Sequence, residues 1–140
     1  MTTTLDRENA REQYRPRHLT ILFVGESPPA SGGYFYFGKG TVFASTQRAF
    51  AQAFQRTFSN PAEFFRFFQH SGCFLEDLSH DPVDNLASLE RERAIIGCID
   101  SLAHRLRESQ PEFIIGFLKK IESPVARAAS LADIPKSVRK

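Results

Sequence analysis

Three short apolar runs, each closed by turn residues, limit this chain more than any other feature. They are HLTILFV at 18–24, CFLEDL at 73–78 and EFIIGFL at 112–118. Their length and β-branched content favour buried strands over helices. The stretches between them carry helical spacing. Phe43, Phe50, Phe54 and Phe58 fall on one face of a helix over 41–58, with Thr41 as its N-cap. Asn60-Pro61 breaks that run and opens a shorter helix over 61–70, which carries Phe64, Phe65, Phe67 and Phe68. Residues 85–107 read as one long helix, with Leu89, Ile96, Ile99, Leu102 and Leu106 along a stripe. A last helix runs from Ser123-Pro124 to Leu131. Strands alternating with helices predict the α/β class, as a three-layer α/β/α domain with a central, mostly parallel sheet. Residues 18–140 form that single domain, and polar residues 1–17 form an N-terminal arm, either loose or a short surface helix.

The core is expected to be built from phenylalanine, since the chain has 14 Phe and no Trp. A half-solvated Phe forgoes about 1.5–3 kcal/mol of burial. A hydrophobic fraction of 41% with 24% charge excludes disorder and collagen-like repeats. Net charge is +2, and the basic excess gathers late, with Lys119, Lys120, Arg127, Lys136, Arg139 and Lys140 against Glu122 and Asp133. Such a tail is most often a solvated end; an anionic partner such as nucleic acid is the sharper reading. Cys73 and Cys98 are too few for a zinc ribbon or a four-cysteine cluster, so no metal cluster is expected. No apolar run approaches the ~20 residues of a membrane span, and residues 1–8 do not form a signal peptide. The expected location is cytoplasmic, away from membranes.

The chemistry concentrates in residues 25–40, GESPPASGGYFYFGKG. A loop of that length in a compact domain is usually functional or disordered, and its aromatics argue for order. In parallel sheets ligands bind at the carboxyl ends of strands, where this loop and Asp77 both lie. Two familiar patterns are only partly met. Gly33 to Lys39 matches the first seven places of a phosphate loop, but Gly40 stands where a hydroxyl should be and four aromatics crowd the cradle. Gly25-Glu26-Ser27 resembles the start of SGNH-type esterases, with Asp77-Leu78-Ser79-His80 as a further match, but Pro29 breaks the nucleophile elbow.

A third pattern spans the chain from His18 onward. Strand one, then Gly25-Glu26-Ser27-Pro28, then the aromatic stretch Gly33-Tyr34-Phe35-Tyr36-Phe37-Gly38, then a helix, resembles the uracil-DNA glycosylase superfamily. The resemblance implies hydrolysis of the N-glycosidic bond of uracil or a related damaged base in DNA, without metal or cofactor. It makes DNA the expected partner. Gly25 and Pro28 would belong to the loop around the base, Phe35 or Tyr36 would stack on it, and Asp77 would read its edge. Glu26 and Ser27 would flank the attacking water. Base flipping costs a few kcal/mol, and stacking returns about 1–3 kcal/mol per base. Ser27 stands where the most active branch carries an aspartate, and no His-Pro-Ser-like second motif follows Leu131. The chain therefore reads as a C-terminally truncated or divergent member, expected to lack its last strand and loop. The alternatives are a catalytically inactive relative that binds a base or nucleic acid, and an esterase using Ser27.

Overall fold

The computed structural model describes residues 2–134. Helix α1 (Thr4–Glu12) precedes strand β1 (Ile21–Gly25). A 3-10 turn (Phe35–Phe37), α2 (Gly40–Phe54) and α3 (Pro61–His70) lead to β2 (Cys73–Asp77). Helices α4 (Ser88–Ile96) and α5 (Ile99–Ser109) lead to β3 (Phe113–Gly116). A second 3-10 turn (Lys119–Ile121) and α6 (Glu122–Leu131) follow. The strands form one parallel sheet in the order β2-β1-β3. This is the α/β class expected from the alternation.

Strand parity separates the two faces of the sheet. One carries Phe23, whose ring lies 5.7 Å from Phe68 and 6.3 Å from Phe50, so α2 and α3 cover it with phenylalanine. Phe64, Phe68 and Phe74 are fully enclosed. The other face carries Leu22, Val24 and Ile114, all at 0% exposure. The α5–α6 pair, burying Leu102, Leu106, Ala128 and Ala129, makes the second helical layer.

Several boundaries differ from the sequence reading. Helix α2 begins at Gly40 with Lys39 as its N-cap residue, not Thr41, and it ends before Phe58. Residues 85–107 are two helices, because the chain turns at Gly97-Cys98. Leu89 and Ile96 of the expected stripe face solvent, and Ile95 is buried instead. Of the two readings of the polar first residues, the short helix holds: α1 is fixed by a capping box between Thr3 and Asp6, and it buries Arg7 and Arg11. Lys136, Arg139 and Lys140 lie outside the described residues.

The two edges of the sheet are treated differently. On β2, the Leu75 N–H that points away from β1 donates to the Tyr36 hydroxyl at 2.8 Å. Arg105 donates to the carbonyls of Asp77 and Leu78 at 3.0 and 3.1 Å. The β2 edge is thus closed by side chains. On β3 no described strand follows.

Among the described residues no helix is long and apolar enough to cross a membrane.

Candidate functional site

Strand order 2-1-3 makes the chain leave β1 toward one side and return on the other. The crevice at the carboxyl ends of the strands is where such sheets bind ligands. Here it holds a cleft of about 290 Å³. Its wall takes Gly25, Glu26, Ser27 and Pro28 from the loop after β1, Tyr34 and Phe35 from the aromatic stretch, Asp77 from β2 and Phe117 after β3. Gly25 and Asp77 are also register partners across the sheet. Segments 52 positions apart are therefore joined at one site by strand pairing.

Asp77 is the chemically distinctive group. Its carboxyl lies over Gly25, where a Cβ would come within 2.5 Å of Oδ1. A side chain at position 25 would push the Asp77 carboxyl out of this place. Among the described residues no hydrogen-bond donor reaches the carboxylate. Burial pushes its pKa from 3.8 up to about 7, against the pull of Arg11. The group can hold or release a proton near neutrality, as a buried general acid, base or hydrogen-bond donor must.

Glu26 is placed differently. Arg91 grips it with two N–H groups, one at 2.8 Å from Nε, and Lys120 Nζ lies 3.3 Å away. The Arg91 hydrogen bond and, after it, Lys120 hold the carboxyl below the usual range despite burial. Glu26 is a fixed anion between the cleft and a larger neighbouring cavity of about 540 Å³. Glu26→Gln leaves two cations without their acceptor. It is expected to cost about 1.5–3 kcal/mol, read as a lowered urea midpoint at pH 7. The Glu26 contribution is present above pH 4.5 and fades as pH falls through its lowered folded value, so the wild-type and variant midpoints should converge in acid.

Ser27 Oγ accepts the Val83 N–H at 3.2 Å. His80 Nε2 is buried with no hydrogen-bond partner, so the serine–histidine contact that an esterase needs is missing. Phe35 reaches the cleft, but its ring is 4% exposed and meets Tyr36, Phe43, Phe64, Phe65 and Phe68. Tyr36 does not line the cleft; its hydroxyl serves Leu75. Tyr34 has the aromatic position beside Asp77, and burial pushes its pKa up to about 12, so it stays a neutral phenol.

No protein-family model, curated protein or solved structure matches the chain. The site therefore stands on its geometry. Among the described residues no group of three or more His, Cys, Asp or Glu could hold a metal ion.

The sequence reading missed the support behind the cleft. Glu76, 3% exposed, sits among Arg11 at 3.9 Å, Arg15 at 3.8 Å and Arg105 at 3.5 Å. Arg7 donates to the His80 carbonyl at 3.2 Å. One signal was available: Arg7 and Arg11 lie four residues apart, which puts both guanidinium groups on one side of α1, and Arg15 follows just beyond its end. The pairing of Glu26 with Arg91 and Lys120 had no such signal.

Proposed function

We propose that the cleft receives a flipped base and that the chain is a uracil-DNA glycosylase-like protein. The reaction is hydrolysis of the N-glycosidic bond of uracil or a related damaged base in DNA. The observation that carries this reading is the Asp77 carboxyl, buried and without a hydrogen-bond donor, in the wall of an aromatic cleft. A planar heterocycle with its own N–H and C=O groups fits a small space with one proton-exchanging group and apolar walls. Protonated, Asp77 donates to a base carbonyl; ionised, it accepts a base N–H. Tyr34, Phe35 and Phe117 supply the apolar wall, and Gly25 and Pro28 keep the approach narrow.

A specific observation favours binding without cleavage as the second reading. Glu26 is neutralised by two cations and Ser27 carries no basic group, so water activation falls to Asp77 alone. Single-turnover incubation with a uracil-containing single strand, followed by alkaline cleavage of abasic sites, separates the two readings. Strand scission at the uracil position is the expected result. Retention of the oligonucleotide without scission supports the binding reading, and absence of both overturns the assignment.

A further inference from the structure

Beyond Glu26 lies the larger cavity, of about 540 Å³, which has no part in the chemistry proposed for the cleft. Its size is that of a small-molecule site. Two helices face each other across it. Arg91, Glu92, Ile95 and Ile96 stand three, four, seven and eight positions after Ser88, so one side of α4 forms the first wall. Ser123, Pro124 and Arg127 form the second from α6. The floor is aliphatic. Ile95 and Ile121 are buried, Ile99 is half-buried, and Ile96 opens to solvent at 55%. Among the described residues no aromatic ring lines this cavity, unlike the cleft. It lies at the starts of α5 and α6. The described chain ends past the opposite end of α6, where the Leu131 carbonyl accepts from Arg107 at 2.9 Å.

The charges around it are uneven. Arg91, Lys120 and Arg127 face two carboxylates, Glu26 and Glu92, which leaves one positive charge in excess. Glu26 occupies Arg91 and Lys120. Arg127 has no hydrogen-bond or ion-pair partner among the described residues. We propose that this cavity binds a small aliphatic monoanion, an alkyl chain ending in one carboxylate. The chain lies on the isoleucines, whose rounded aliphatic surface suits methylene groups better than a flat ring. Its seating takes Ile96 and Ile99 out of water. The carboxylate goes to Arg127, the cation that Glu26 does not engage. A monoanionic head cancels the excess charge, whereas an alkyl cation would add to it. Glu92, exposed on the α4 wall, is the one carboxylate besides Glu26 that opposes the head.

Isothermal titration of the full chain with sodium octanoate at constant ionic strength is the test. Saturable binding at one site per chain is expected. Octanol and octylamine, which lack the anionic head, should bind about tenfold more weakly or not at all. Arg127→Gln should weaken octanoate binding about three- to tenfold. Ile96→Asp should weaken it by about tenfold, since it removes apolar contact and adds a like charge. Glu92→Gln should tighten it about two- to threefold, because it removes the opposing carboxylate. All three side chains are exposed, and unchanged circular dichroism checks that each variant keeps the fold. No saturable octanoate binding, equal binding of octanol, or an affinity unchanged in Arg127→Gln or in Ile96→Asp overturns the assignment. None of these measurements involves DNA, so they stand apart from the reading of the cleft.

Discussion

Asp77→Asn should make the protein more stable at pH 8 and inactive toward a uracil-containing strand. The two effects share one cause. In the folded chain the Asp77 pKa is about 7, and unfolded it returns to 3.8. Between these values the native state keeps a proton that the unfolded state has lost. Stability therefore falls as pH rises across this window, and the loss is complete above about pH 7. The span amounts to on the order of 4 kcal/mol at about 1.4 kcal/mol per unit. Asparagine fills the same space without a charge, so it removes the slope. Urea midpoints at pH 5 and pH 8 check this: the wild type should lose stability between them and the variant should not. Asparagine also cannot take up a proton from water, and loss of a positioned base costs about 10²–10⁴ in rate. A variant that is stabilised yet fully active would remove Asp77 from the chemistry while leaving its burial explained.

Phe68→Ala carries the largest expected cost to folding. The ring is fully buried and meets Phe23, Phe35, Phe50 and Phe64 at 5.3–5.7 Å. It joins the sheet to α2, α3 and the 3-10 turn before α2. Removing it opens a cavity that rigid neighbouring rings cannot fill, at about 3–5 kcal/mol. Against a total of 5–15 kcal/mol, that consumes a large share of the stability. Thermal unfolding by circular dichroism should show a fall in midpoint much greater than for Phe54→Ala, whose ring is 54% exposed.

What could be read from the sequence was what local pattern determines. The three strands, the α3 limits at Pro61–His70 and the phenylalanine layer all follow from periodicity and turn residues. So does the meeting of Gly25 with Asp77, because parallel strands of similar length place their carboxyl ends together. The long helix failed because its stripe was counted straight through Gly97. The turn there shifts the buried set to Ile95, Leu102 and Leu106. Tyr36 could not be told from Phe35 by position alone: one caps a strand edge with its hydroxyl and the other packs its ring. Glu26 was read as flanking the attacking water, and the partner that fixes its carboxylate, Arg91, lies 65 positions away in sequence. Nothing local records that pairing.

The side chains along the β2 rim also bear on association. The Leu75 N–H and the Asp77 and Leu78 carbonyls already have partners in the Tyr36 hydroxyl and the Arg105 guanidinium. A foreign strand could pair along this rim only by displacing both, so the fold shields it from templating the addition of another chain.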